Sequence, residues 1–170
     1  MTRIAWVVMG ISGCGKSEIG SRLAQALDLP YIEGDRFHPP ENVAKMSAGI
    51  PLNDADRQGW LATLRAEIER AWEAGENVVL SCSALKRAYR DILRGDGNGG
   101  EVCFVHLHGA RELIAGRMAA RSGHFMPTSL LDSQLRDLEP LQADEAGVTL
   151  DVRDAPEALV AQALLALPAR

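Results

Sequence analysis

The sequence is short of cysteine, of positive charge and of long apolar runs, and each shortage removes a class of answer. Cysteine occurs only at Cys14, Cys82 and Cys103. These three form no CxxC pair and leave an odd count, so neither a disulfide framework nor a zinc site is expected. A reducing cytoplasm is the compartment that fits. Lys and Arg total 18 against 23 Asp and Glu, a formal net charge of −5. A nucleic-acid binder normally carries a basic surface, so that role is disfavoured, and an anionic ligand must be drawn by a local basic cluster. No apolar run is long enough to span a bilayer, so no membrane partner is expected. A strand is expected almost from the first residue, with no room for a signal peptide before it. Internal repeats and low-complexity segments are missing too. What is present is a globular composition, 46% hydrophobic over 170 residues, enough for one domain with a real core.

Apolar runs and helical periodicities alternate along the chain. "IAWVVM" (4–9), "PYIEGD" (30–35), "NVVLSCS" (77–83), "EVCFVHL" (101–107) and "VTLDV" (148–152) have the character of strands. Ile19, Leu23 and Leu27 recur every four residues after Lys16, the spacing of a helix. Trp60, Leu64, Ile68 and Trp72 line another, with Asn53 and Asp54 to cap it and Gly75 to stop it. The pattern predicts further helices over 84–94, around Leu113, Ile114 and Met118, and behind Thr128 with Leu131, Leu135 and Leu138. A last one opens at Pro156 and carries Leu159, Val160, Ala163 and Leu167. Wholly apolar strands alternating with helices form a parallel sheet covered on both faces, an α/β fold. Ligands of such sheets bind beyond the carboxyl ends of the strands. That rule selects Gly10–Ser17, Gly34–Pro40, Ser81–Lys86, His108 and Arg153–Pro156.

The stretch "GISGCGKS", Gly10 to Ser17, joins the first strand to the first helix in the form GxxxxGK[ST]. Its glycines permit unusual backbone angles, so successive N–H groups of Gly10, Ile11, Ser12, Gly13, Cys14 and Gly15 can converge on phosphate oxygens. The helix starting at Lys16 adds its positive dipole end. Lys16 would reach the β- and γ-phosphates of ATP, and Ser17 would offer a hydroxyl to Mg²⁺. A GxGxxG dinucleotide site is disfavoured, because position 18 is Glu18. Motor and switch NTPases usually end an apolar strand in Asp. Here the third strand ends in Ser81, Cys82 and Ser83, and no NKxD occurs. The carboxylate comes instead at Asp35, after the second strand. There it can accept the proton of an acceptor hydroxyl or hold a metal-bound water, both tasks of a small-molecule kinase. Cys14 within this loop reads as passive; the rival reading is that the helix N-terminus lowers its thiol pKa, so that its oxidation would block ATP binding.

Three longer stretches are more specific than this loop. "GDRFHPPENVAKMSAGIPLNDADRQGWL" (34–61), "CSALKRAYRDILR" (82–94) and "GHFMPTSLLDSQLRDLEPL" (123–141) resemble the small P-loop gluconokinases of the shikimate- and nucleoside-monophosphate-kinase superfold. The resemblance runs from the phosphate loop to about Asp154; it departs at Gly59, where Pro is usual, and at the variable Arg36-Phe37 pair. It implies one domain over 1–170, a three-layer α/β/α P-loop kinase with a five-stranded parallel sheet in the order 2-3-1-4-5. A helical substrate flap at about 36–60 and a lid at about 121–130 complete it. The implied reaction is ATP- and Mg²⁺-dependent phosphorylation of D-gluconate to 6-phosphogluconate, in a homodimer.

On that reading each polar residue at the active edge has a task. Asp35 is the base or orienting group, and His38, in the same loop, hydrogen-bonds the substrate. Lys45 and Arg57 belong to the flap, although Asp54 and Arg57 could equally cap and pair within their own helix. Lys86, Arg90 and Arg94 fall at i, i+4 and i+8 on one predicted helix face, with Lys86 and Arg90 near enough to meet the gluconate carboxylate or hydroxyls. Ser83 adds a hydroxyl, and Arg87 lies off that face. Arg117 and Arg121, four apart, are expected over the nucleotide, one against adenine and Arg121 on the transferring phosphoryl. His124, Phe125 and Met126 would exclude water. The rivals are a shikimate or nucleoside-monophosphate acceptor, which "HPPENVAKM" speaks against, and a nucleotide-binding module without transfer, which Asp35 and the two arginines speak against.

Overall fold

The computed structural model describes residues 2–120 and 128–166. Five strands, β1 (Arg3–Met9), β2 (Tyr31–Glu33), β3 (Val78–Ser81), β4 (Gly100–His108) and β5 (Gly147–Asp151), form one sheet in the order β2-β3-β1-β4-β5. Every pairing is parallel, as expected. β1 sits centrally, with Val7 opposite Leu80 on one side and Phe104 on the other. Its residues from Ile4 to Met9 are buried, which is why it is apolar without alternation.

Among the described residues seven helices surround the sheet: α1 (Lys16–Leu27), α2 (Pro40–Ser47), α3 (Asp54–Glu73), α4 (Arg87–Arg94), α5 (Arg111–Ala120), α6 (Thr128–Asp137) and α7 (Pro156–Ala166). α1 packs with α7, and α3 with α4, giving the α/β/α layering. α3 begins with a reciprocal cap. The Asp56 N–H donates to Asn53 Oδ1 at 2.8 Å, and the Asn53 N–H donates to Asp56 Oδ2 at 3.0 Å. Such a cap is worth about 1 kcal/mol. Trp60, Leu61, Leu64, Ile68 and Trp72 then form the stripe that α3 buries. Between β2 and α3 lie a 3-10 turn, Gly34–Phe37, and α2, which starts at Pro40 because the missing N–H of proline costs nothing at a helix N-terminus.

One helix differs from expectation. The pattern predicts it from residue 84, yet α4 starts at Arg87. Ala84 is left-handed, with φ 45°, and Lys86 is extended, so 82–86 runs as a loop beside the end of β1. The Arg90 guanidinium keeps it there by donating to the carbonyls of Ala84 (2.9 Å) and Leu85 (3.2 Å). Arg90 is in turn matched to Glu145 by Nε–Oε1 at 2.7 Å and Nη2–Oε2 at 3.0 Å, with both side chains fully buried. Arg94 Nη1 adds a bond to Glu145 Oε1 at 2.9 Å. Burial opposes ionisation of Glu145, but hydrogen bonds from Arg90, the Gln142 backbone and Arg94 outweigh it and hold the carboxyl at about 2. Its folded pKa is thus depressed, so its contribution is complete above the ordinary carboxylate range and lost as pH falls toward 2.

Breaking a buried pair strands the remaining charge. Glu145→Ala is expected to cost about 3–5 kcal/mol in urea unfolding at neutral pH. A loss under about 1 kcal/mol would contradict the bracing role assigned to Arg90 and Glu145.

Candidate active site

The phosphate loop leaves β1 at Gly10, where φ is 149° and an added Cβ would stand 2.7 Å from the Leu107 carbonyl oxygen. Only glycine fits this combination of angle and space. The loop ends at Gly15, also left-handed, and α1 begins at Lys16. Gln134 on α6 holds the loop from the side. Its Oε1 accepts the Ser12 N–H at 2.7 Å, and its Nε2 donates to Ser12 Oγ at 3.0 Å. Lys16 Nζ rests on the carbonyl of Ile11 at 3.0 Å.

The Ser17 hydroxyl donates to Glu33. Glu33 Oε2 also accepts from the Tyr31 hydroxyl at 2.9 Å; that hydroxyl shares a 2.6 Å bond with Ser81 Oγ, which reaches the Lys16 carbonyl at 3.1 Å. Sequence reasoning passed over Glu33 and Tyr31. The available signal was period two: they point to the same side of β2, whose carboxyl end lies beside the loop. A hydroxyl with a carboxylate next to it is the donor chemistry a hard divalent cation accepts. Among the described residues no group of three His, Cys, Asp or Glu could enclose a metal. The pair therefore suits an ion completed by phosphates and water rather than a protein cage.

Asp35 owes its place to its neighbour. The Gly34 Cα lies so near β3 that a Cβ there would stand 2.1 Å from the Ser81 carbonyl oxygen. From the other side Trp60 Nε1 donates to the Gly34 carbonyl at 2.8 Å. The turn is clamped between β3 and α3. Asp35 and Lys16 share two cavities: both line one of about 190 Å³ with Ser12, His38, Arg57 and Ser83, and both line a second of about 450 Å³ along the phosphate loop. Ser12, Lys16 and Asp35 are common to the two, so the cavities meet at the expected reacting groups. His38 stacks on Trp60, ring centroids 4.0 Å apart, and burial lowers its pKa.

The remaining expected cations are sorted by the structure. Arg57 is buried at the first cavity, with Nη1 3.3 Å from the Tyr89 hydroxyl and 3.5 Å from Asp137 Oδ2. Lys45 pairs with both oxygens of Asp56, at 3.0 and 2.8 Å, and Lys86 with Asp54 Oδ1 at 3.0 Å; neither is among the described residues that line these two cavities. The expectation that Arg90 meets the substrate does not hold. The loop start of α4 turns it inward, where Glu145 and three carbonyls use its donors. Arg87 is bound at the surface to Asp144. Arg117 lines the second cavity and donates to the Val152 carbonyl at 2.8 Å. Arg121, His124, Phe125 and Met126, and with them most of the expected lid, lie outside the described residues.

Cys14 keeps the passive one of its two readings. It is 2% exposed, and burial pushes its thiol pKa up; Lys16, nearby backbone N–H groups and Arg117 pull the other way and do not prevail. The helix N-terminus does not produce a reactive thiolate, because the Sγ lies under the loop and away from water.

Residues 12–167 match the shikimate kinase family. The chain is 45% identical over 159 residues to a probable gluconokinase of Xenopus tropicalis, covering 86% of this chain and 84% of that protein. It is 46% identical over 154 residues to the gluconokinase of Gluconobacter oxydans, covering 91% and 85%. The crystal structure of a gluconokinase from Sinorhizobium meliloti superposes with a TM-score of 0.85 at 48% identity, covering 97% of this chain and 90% of that one.

Iodoacetamide at about pH 8, read by mass spectrometry, is expected to leave Cys14 unmodified in the folded chain and to label it once urea unfolds the protein. Labelling of folded Cys14 at the rate of a free thiol would contradict its burial.

Proposed function

We infer that this chain, which belongs to the gluconokinases of the shikimate kinase family, transfers the γ-phosphoryl group of ATP to the terminal hydroxyl of gluconate. The observation that carries this reading is the meeting of two cavities at Lys16 and Asp35. The larger runs along the phosphate loop and takes the nucleotide; the smaller, walled by the flap, takes the six-carbon acid.

Asp35 receives the hydrogen bond of the terminal hydroxyl and its proton as the oxygen attacks. A new oxygen–phosphorus bond forms, the bond to the bridging β,γ-oxygen breaks, and ADP leaves with the negative charge. Lys16, on leaving the Ile11 carbonyl, and the loop N–H groups stabilise that charge. Arg121 is assigned to the transferring phosphoryl and Arg117 to the nucleotide. Ser17, with Glu33 beside it, would hold Mg²⁺, which when bound screens the phosphate charges. His38 and Ser83 serve the polyol hydroxyls. Arg57 is assigned to the gluconate carboxylate in place of Arg90, because among the described residues it alone joins a guanidinium to the wall of the acceptor cavity. Lys45 and Lys86, engaged by Asp56 and Asp54, hold the flap and are released to substrate only if those pairs open. The reading carries with it a homodimer working in the cytoplasm; among the described residues no helix is long and apolar enough to cross a membrane.

A coupled assay of ADP release decides the acceptor. Gluconate is expected to support turnover, and shikimate, AMP and CMP are not; turnover with one of these instead would overturn the assignment. Asp35→Asn is expected to lower kcat by on the order of 10²–10⁴. Undiminished turnover in that variant would remove Asp35 from the mechanism. Arg57→Gln should raise the gluconate KM roughly 10- to 100-fold and leave the ATP KM within about twofold. Equal effects on both substrates would count against a carboxylate contact.

A further inference from the structure

His38 faces the acceptor cavity as a neutral imidazole, and a neutral imidazole has two tautomers with opposite chemistry. The structure allows the two to be told apart. The side-chain amide of Asn42, 3% exposed on α2, places one atom 2.9 Å from the Asp56 carbonyl oxygen and 3.2 Å from His38 Nδ1. A carbonyl oxygen can only accept, so the atom facing it is the NH₂ group and not the amide oxygen. The second hydrogen of that NH₂ then points at Nδ1. Nδ1 must accept it and therefore carries the lone pair, which leaves the ring proton on Nε2. The ring cannot swing away from this arrangement. It lies flat on Trp60 with an interplanar angle of 17°, and Trp60 is itself tied to the Gly34 carbonyl.

We propose that Asn42 is a positioning residue that locks His38 in the Nε2–H form, so that a hydrogen-bond donor stands at a fixed point beside Asp35. His38 Nε2 lies 4.0 Å from Asp35 Oδ1, and both side chains line the same cavity. The acceptor hydroxyl must give its hydrogen to Asp35. Its oxygen, and that of the neighbouring hydroxyl, must then be met by donors. The Nε2–H supplies one. The opposite tautomer would present a lone pair there, repelling the Asp35 carboxylate and competing with it for the same proton. Burial keeps the imidazole uncharged; Arg57 adds to this, Asp35 opposes it, and the Lys45–Asp56 pair lies behind Asn42. This assignment rests on the gluconate reading for its kinetic consequence, but not for the tautomer.

Long-range proton–nitrogen NMR of ring-labelled protein, with the His38 signals identified by their loss in His38→Gln, tests it directly. The wild-type chain at about pH 7.5 is expected to show Nε2 protonated and Nδ1 bare. Nδ1 protonated in the wild type, whether as the other tautomer or as imidazolium, overturns the proposal without any variant. Asn42→Asp replaces the donor by an acceptor, so Nδ1 should gain a proton. In that variant kcat should fall roughly tenfold while the ATP KM stays within twofold. An unchanged tautomer in Asn42→Asp, or a switched tautomer with unchanged kcat, also overturns it. Should the chain prefer another acceptor, the wild-type tautomer is still expected, and the kinetic arm is read with that acceptor. The two readings therefore fail separately.

Discussion

The site exists because a turn can lie almost in van der Waals contact with a neighbouring strand. Gly34 approaches the Ser81 carbonyl more closely than any side chain allows, and the Trp60 indole N–H secures it from the opposite side. β3 lies between β2 and β1, so a turn pressed onto β3 reaches back toward the loop that leaves β1. The residue after Gly34 then lines the same two cavities as Lys16. A bulkier turn would carry Asp35 outward and separate the two cavities. The parallel sheet supplies direction, since all its strands end on one edge. The glycine supplies the last few ångströms.

Around that contact the protein separates cations that build from cations that remain at a cavity. Arg65 closes the end of α4 by donating to the carbonyls of Leu93 and Arg94 at 2.9 and 3.0 Å. Arg90 shapes the loop before α4, and Glu145 neutralises it. Lys16, Arg57 and Arg117 line the two cavities. An acidic chain can thus attract an anionic substrate without a basic surface, because the positive charge is placed inside the cleft, where the low dielectric makes it count. α6 links the parts. Gln134 holds the phosphate loop and lines the acceptor cavity, and Asp137, one turn further along, meets Arg57.

Much of this was legible in the sequence, for physical reasons. Buried parallel strands must be apolar throughout, so β1 and β4 are visible as runs, and the sheet order followed from the family resemblance. The loop "GISGCGKS" is tied to its function by backbone geometry that only glycine provides. The errors share one origin. Arg90 was placed on a helix face that assumed α4 began near residue 84, and a left-handed Ala84 is invisible to periodicity. Glu145, its partner, lies 55 residues further along, and no local pattern joins them. For Cys14 the helix dipole left a reactive thiol open as a rival reading, and burial closes it. Glu33 and Asn42 were missed because each acts through a neighbour, Ser17 and His38, and such partnerships appear only once the chain is folded.

The central claim is that Asp35 and Lys16 address the same reacting group from two joined cavities. A crystal structure with gluconate and a non-hydrolysable ATP analogue tests this most directly. The account predicts the terminal oxygen of gluconate within about 2.6–3.2 Å of an Asp35 carboxylate oxygen and in line with the γ-phosphorus, with Lys16 on the phosphate oxygens. Gluconate bound with its terminal hydroxyl turned away from Asp35, or outside the cavity that Arg57 and His38 line, would contradict it.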